Sequence, residues 1–589
     1  MAVRPPGLHL RTFLLRLVRN EQMLLLLVAA LAGATAAYAA IAFRELVRLV
    51  VRLGYGVGGG DPAVAAADLP WWLLVTVPAA GGLLLGLLTR FLLPGPLPQG
   101  VADVIEACAL RNGRMPLRTG LAAAFLSASS IGVGASVGRE GPIVHLGATL
   151  ASWFAKRLHL GPSLSRTLLG CGVSGAIAAA FNAPIAGVFF ALEVVVGHYG
   201  LGAFSPVVIA SLVGTVVTRV HIGAEPAFGL MPHFVASFWE VPAFLLLGVV
   251  AAGVAIALLW AIGIVRRLHA RWAIPSWLQP ALAGLLLGTM AIGFPEILGV
   301  GYQVTTRALY GEFPLESFVL LAVVKTAATA LCLGSRFGGG IFSPSLAVGA
   351  LTGGAFGLVA GAVFPELASG PGVYATLGMG ALAAATLGAP VSTVIMIFEL
   401  TTDYGITFAL MASVAVASLL TRQLYGHSFF TWQLAVRGID VEGHRELALL
   451  RSRRVHDVMR VDHVEVPRDA SLEEIKRRFH ARHGPIFVVE ADGTLFGAIT
   501  LEDLVEAEFA DGRGKLRAED LARRLPVVLF PGENLAAAFR RCHTFQLEHV
   551  PVVRSRQDFH LVGEVRMRDL IEAYNRALLE ARAQERGRC

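Results

Sequence analysis

The sequence predicts an all-α polytopic membrane domain followed by a cytosolic α/β region, and three observations carry that prediction. Of the 589 residues, 55% are hydrophobic and only 15% charged, with a mean hydropathy of +0.65. Soluble domains carry about 25% charge. The apolar character is uneven: charges are sparse from Met23 to Leu420, then dense and mixed from Arg437 to Cys589. Finally, many apolar segments are shorter than a full crossing and are broken by Gly and Pro, and similar segments recur in order in two halves.

The N-terminal segment, residues 1–22, is basic and amphipathic, with Arg4, Arg11, Arg16 and Arg19 ahead of the first apolar run. That run, MLLLLVAALAGATAAYAAIAF from Met23, exceeds the roughly 20 residues a crossing needs. The N-terminal region lacks an A-x-A-type cleavage signal followed by a mature polar domain, so this run reads as a first span and not a signal peptide. The preceding arginines predict a cytoplasmic N-terminus. The membrane domain is expected over 23–436 and a linker over 437–454. The net charge of +7 fits basic cytoplasmic loops, and nothing points to nucleic acid. Cys108, Cys171, Cys332, Cys542 and Cys589 are scattered. They read as free thiols, with neither a disulfide framework nor metal-ligand spacing.

Within the membrane domain, GREGPIVHLGA (138–148) is similar to GIFSPSLAVGA (340–350), and NAPIAGVFFALE (182–193) to GAPVSTVIMIFE (388–399). Pro344 follows Pro142 by 202 residues and Pro390 follows Pro184 by 206. These motifs in one order at similar offsets indicate an internal repeat; the residues leave open whether it is parallel or inverted.

Proline is well placed in the first turn of a helix, where its missing N–H costs nothing. GREGP and GIFSP therefore read as Gly-rich turns opening helices, with free N–H groups and the positive dipole end at the turn. Such a turn is an anion site without a full fixed charge. PLPQGVADVIEA (96–107) is a third turn of this kind. Converging helix starts would hold a small anion weakly enough to let it leave. Glu140 then reads as a competitor for the anion position, with Arg139 beside it as partner or field source. Ionisable residues inside a membrane are functional by default.

At these residues the chain resembles the CLC chloride channels and chloride/proton exchangers. GREGP, GIFSP and FNAPIAGVFFALE carry the resemblance, which covers nearly the whole chain. It implies inverted repeats of broken, tilted helices, a homodimer with one pore per subunit, a multi-pass place in the cell membrane, and both termini in the cytosol. It implies Glu140 as the external gating glutamate. The turn of Gly340, Ile341 and Phe342 would line a central chloride site, and that of Arg139, Glu140 and Gly141 an outer one.

Three positions depart from the family pattern. Its G-S-G-I-P turn aligns with Pro98-Gln99-Gly100-Val101-Ala102, so Gln99 replaces a serine facing the anion. Its central tyrosine aligns with Phe430, which has no hydroxyl. The inner proton-relay glutamate of coupled members aligns with Val194, which carries no proton. Glu193, one residue away, would face elsewhere at about 100° per residue and reads as structural, like Glu399. The pattern favours channel-like conduction; the alternative is a chloride/proton antiporter on the same scaffold. A cation transporter would need carboxylates clustered along its path, and a non-transporting sensor would not need repeated broken helices.

After the linker come two β-β-α blocks, at 455–512 and 517–580, which resemble a pair of CBS domains. Such pairs often bind adenine nucleotides. By that resemblance Asp503 and Asp569 would take ribose hydroxyls and Thr500 a phosphate; Arg566 stands where a small hydroxyl residue is usual. A purely structural pair is the other reading. No cofactor is required by the transport reading, and no metal site or catalytic pairing is expected.

Overall fold

The computed structural model describes residues 21–58, 63, 69–92, 99–224, 228, 234–439, 453–481, 484–508, 516–524, 527–545 and 547–585. The basic segment 1–20, Pro98, most of the 437–454 linker, residues 509–512 and Cys589 lie outside the described residues. The chain divides into two units, Met1–Asp440 and Val441–Cys589.

The first unit is helical. Its first half runs α1 (Glu21–Tyr55), α2 (Trp71–Leu92), α3 (Val101–Leu110), α4 (Leu117–Gly132), α5 (Glu140–Arg157), α6 (Pro162–Phe181), α7 (Pro184–Phe190) and α8 (Leu201–His221), with a π-helical turn at Ala191–Val196 after α7. The second half runs α9 (Val241–Arg271), α10 (Gln279–Gly293), α11 (Tyr302–Leu309), α12 (Leu315–Gly334), α13 (Phe342–Val363), α14 (Pro371–Leu387), α15 (Pro390–Thr401) and α16 (Tyr404–Leu424), closed by α17 (Phe429–Val436). Among the described residues, eight segments are long and apolar enough to cross a membrane. By contrast α3, α7, α11 and α15 have 10, 7, 8 and 12 residues. At 1.5 Å per residue these fall short of a hydrocarbon core of about 30 Å.

The breaks have local causes. Proline opens α6, α7, α14 and α15, where its fixed φ suits the first helical position. Asn182 and Gly388 end α6 and α14 in the left-handed conformation. The first span is longer than its apolar run. With no Gly or Pro stop, α1 continues through Arg44, Glu45 and Arg48 to Tyr55, too long to stand upright within one bilayer thickness.

Equivalent residues of the two halves meet in pairs. Gly138 and Gly340 exchange backbone hydrogen bonds of 2.6 and 2.7 Å as an antiparallel bridge. Helices α5 and α6 cross where Gly147 faces Gly172, and α13 and α14 where Gly349 faces Gly378. A β-carbon at any of these four would meet a carbonyl oxygen at 2.3 to 2.5 Å. Glu193, on the π-helical turn, accepts from Val391 N, Ser392 N and Ser392 Oγ at the start of α15, at 3.0, 2.8 and 2.6 Å. Glu399, in α15, accepts from Ile185 N and Ala186 N at the start of α7, at 2.9 and 2.7 Å. Each half satisfies the orphan donors of the other's broken helix, in keeping with the inverted-repeat fold that the family resemblance implies. The 100° spacing assumed for Glu193 and Val194 needs correction, because a π-helical turn is wider than an α-helical one.

The second unit holds two small α/β repeats. The first has β1 (Glu465–Pro467), α18 (Leu472–Ala481), β2 (Ile486–Val489), β3 (Leu495–Ile499) and α19 (Leu501–Glu508). Next come α20 (Ala518–Leu521), α21 (Leu535–Thr544), β4 (His549–Val553), β5 (Leu561–Arg566) and α22 (Met567–Glu585). Strand β2 pairs parallel to β1 and antiparallel to β3; β4 pairs antiparallel to β5, and Leu529 takes the parallel place beside Val552. Val466, Ile475, Ile486 and Ile499 build one core; Leu529, Leu535, Val550 and Val565 build the other. The leading segments are exchanged. Val455 packs in the second core and Arg460 bridges Glu564, whereas Ala518 packs in the first core and Arg523 bridges Ala498. Each leading segment therefore packs against the other repeat's core. Each leader covers a strand edge that would otherwise be unpaired.

Candidate functional site

The bridge between Gly138 and Gly340 fixes the starts of α5 and α13 side by side. Arg139 and Ile341 are the N-cap residues; Glu140 and Phe342 are the first helical ones. Pro142 and Pro344 sit third, where no intrahelical acceptor is lost. A small cavity at this junction is walled by Glu140, Gly141, Gly340, Ile341, Phe342 and Phe430, with Val101 from α3. A second cavity continues along Gln99, Gly100, Gly141, Gly340 and Phe430. Gln99 also lines a third, of about 600 Å³, next to Asp103 and Arg437. On the other side of Glu140, Arg139 lines a cavity of about 240 Å³ together with Arg44 and Tyr302. Every predicted anion-site residue thus lines one of these cavities.

The N–H groups of two predicted anion-site residues, Gly340 and Gly100, are already engaged. The Gly340 N–H donates to Gly138 O, and the Gly100 N–H to Asp103 Oδ2 at 2.8 Å. Those residues form wall, and the donors left are the first-turn N–H groups of α5 and α13, which have no intrahelical acceptor. Phe430 is buried near the start of α17, whose Ser428 cap accepts from Thr431 N at 3.3 Å. Val194 is half-buried on the π-helical turn, while its neighbour Glu193 is committed to α15.

Glu140 is completely buried. Its Oε1 accepts from Tyr302 Oη at 2.7 Å and lies 3.7 Å from Arg139 Nε. Its Oε2 has no hydrogen-bond partner. The Arg139 guanidinium stacks over the Tyr302 ring at 4.6 Å. An unpaired oxygen on a buried carboxylate costs roughly 1–3 kcal/mol or more, so Glu140 is held by one strong bond and strained by one missing one. Tyr302 and Arg44 were not singled out from the sequence. The signal for Tyr302 is the turn GVGY, where Gly301 at φ +91° opens the short α11; nothing local marks Arg44.

In the second unit, Asp503 is buried, with Oδ2 accepting from Thr500 N and Thr500 Oγ1 at 2.7 Å each and Oδ1 paired with Arg523 at 2.5 Å. Asp569 makes a two-pronged pair with Arg460, at 2.8 and 3.0 Å. Both carboxylates expected to take ribose hydroxyls are therefore filled by arginines, and Thr500 is spent in capping. As arranged, these residues do not fit a nucleotide. Arg566 pairs with the buried Glu564 at 2.8 Å. Among the described residues no group of three or more His, Cys, Asp or Glu could hold a metal ion.

Helix starts converging on a buried carboxylate, inside an inverted repeat of broken helices, define a membrane protein built around an anion path. The model of the voltage-gated chloride channel family matches residues 81–422, and that of the CBS domain matches 455–510 and 518–576. The chain is 37% identical over 394 residues to the ClcB-like protein of Ralstonia nicotianae, covering 66% of this chain and 91% of that one. To the H(+)/Cl(-) exchange transporter ClcA of Cronobacter sakazakii it is 29% identical over 430 residues, covering 70% and 89%. A eukaryotic CLC transporter structure aligns with a TM-score of 0.62 at 20% identity, over 92% of this chain and 97% of that one. The protein belongs to the CLC chloride channel family, with two C-terminal CBS domains.

Proposed function

We propose that this chain conducts chloride or a similar small anion across the cell membrane in a channel-like way, with Glu140 as the gate. The observation that supports it most is the Glu140 carboxylate itself. It is wholly buried at the meeting point of α5 and α13, with cavities on both sides and one oxygen unpartnered. A carboxylate there occupies the place a passing anion needs. Release of its bond from Tyr302, by protonation or by an arriving anion, frees the path. Arg139 supplies positive potential beside it without a short bond to lock it.

Passive conduction is favoured over exchange because Val194 cannot carry a proton and Glu193 is tied to three donors at α15. The names of the relatives include both channel and exchanger, so the reading rests on these residues. A homodimer with both termini in the cytosol completes it. The CBS pair acts as a structural module, because Arg460 and Arg523 hold the carboxylates a nucleotide would need.

Purified protein in liposomes, with chloride efflux driven while external pH is recorded, tests this. Efflux without proton uptake is expected. Proton uptake in proportion to efflux would make the chain an exchanger, and no efflux would overturn the anion reading at Gln99 and Phe430.

A further inference from the structure

The largest of the cavities described above, of about 600 Å³, opens beside Phe430's side of the path. It shares Gln99 and Arg266 with the smaller cavity that contains Phe430 and Gly340. Four arginines line it: Arg111, Arg266, Arg336 and Arg437. Two are neutralised. Arg437 pairs with Asp103 at 2.8 Å and lies 3.6 Å from Glu106, which also pairs with Arg111. Arg266 and Arg336 have no carboxylate partner among the described residues. Arg266 rests over the Trp432 ring at 5.0 Å, and Arg336 and Arg437 are within Coulombic reach of it. Two like charges thus line one cavity.

Arg336 holds its place against its backbone. Its φ is +66°, a left-handed conformation that side chains with a β-carbon resist. The first half shows what the turn itself needs. Gly134, 202 residues earlier, has φ +99° at the equivalent place. The equivalence is supported by hydrogen bonds, since Ala135 N bonds Ser130 O at 3.1 Å just as Phe337 N bonds Cys332 O at 3.2 Å. Glycine serves this helix end in one half, and an arginine lining a cavity stands there in the other. Strain kept where an unstrained residue suffices points to the side chain's use.

We propose that Arg266 and Arg336 form a binding site for a polyatomic oxyanion, of the sulfate, phosphate or carboxylate class, at the mouth of the path. Planar guanidinium groups match pairs of oxygens two bonds at a time, which a spherical halide cannot exploit. The Gln99 amide adds a donor on the same wall. The cavity is far larger than one halide needs, and its four arginines face two carboxylates. An oxyanion there stands between solution and Phe430, so it slows chloride movement from that side; this consequence rests on the conduction reading, while binding does not.

The test is a sodium sulfate titration of the purified full chain at constant ionic strength, read by calorimetry and by melting temperature. Wild type shows saturable binding and a rise in melting temperature. Arg266→Gln and Arg336→Gly each weaken sulfate about tenfold or more, the loss expected for a charge-assisted hydrogen bond. Without sulfate, Arg336→Gly melts no lower than wild type, because glycine adopts the turn freely. Absence of saturable binding in wild type overturns the proposal, and so does an unchanged sulfate response in both variants. Sulfate binding without chloride flux in liposomes would reject the conduction reading and keep this site; flux without sulfate binding would do the reverse.

Discussion

The two halves of the membrane unit use the same turn for different ends. In the first, Arg139 and Glu140 open α5; in the second, Ile341 and Phe342 open α13. Both turns join in one backbone bridge and both expose the same donors. Only the first carries a charge that can compete with an anion, while the second supplies an apolar wall. The same contrast recurs at Gly134 and Arg336. Where the halves agree, as at Gly147 and Gly349 or Glu193 and Glu399, the shared residues hold the scaffold. At Glu140 and Arg336, where they differ, the residue faces a cavity. Broken equivalence, and not charge alone, separates function from framework: Glu140, Glu193 and Glu399 all lie in the apolar unit, yet the last two are satisfied caps of helix starts.

The sharpest way to break this contrast is Glu140→Ala, which makes the first turn as apolar as the second. Chloride flux in liposomes should lose its dependence on external pH. It should also rise at neutral pH by about a hundredfold, the scale of one charge-assisted bond in a low-dielectric site. Wild-type pH dependence in this variant would remove Glu140 from the gate. Next come the framework glutamates. Glu193→Ala and Glu399→Ala should each cost about 3 kcal/mol, because buried first-turn donors lose a charged acceptor. Melting in detergent measures this, and equal losses with unchanged pH dependence in the surviving protein would confirm their structural role. A smaller effect belongs to Tyr302→Phe. It keeps the ring under Arg139 but removes the bond to Glu140, and should raise neutral-pH flux about tenfold. Flux equal to wild type would show that Tyr302 does not hold the closed state.

The smallest change is expected in the soluble unit. Wild type should give no heat with ATP in calorimetry, whereas Arg460→Ala together with Arg523→Ala should unmask weak binding by freeing Asp569 and Asp503. Saturable ATP binding by wild type would show that both arginines yield to a nucleotide.

Much of this was legible in the residues. Pro142, Pro184, Pro344 and Pro390 mark helix starts because proline tolerates so few places, and their matched spacing exposes the repeat. Glu140 stands out because a carboxylate in an apolar run needs a reason. The β-β-α blocks declare themselves through alternating apolar strands and glycine turns. What stayed hidden depends on distance along the chain. Tyr302 lies 162 residues from Glu140, and Glu193 reaches a helix start 198 residues away. The engagement of Gly340 and Gly100, and the exchange of leading segments between the CBS repeats, are likewise settled by which partners pack together.

The sequence by itself determined the class of the protein, its two-part organisation, its repeat and the candidates for its anion path, because composition, proline position and glycine turns act locally. Only the tertiary structure decided which of those residues are free to act. It left one Glu140 oxygen without a partner, joined Glu193 to α15, filled Asp503 and Asp569 with arginines, and left Arg266 and Arg336 facing a cavity. Whether a donor or a charge is satisfied depends on partners that only folding brings within about 3 Å, and no local pattern encodes that.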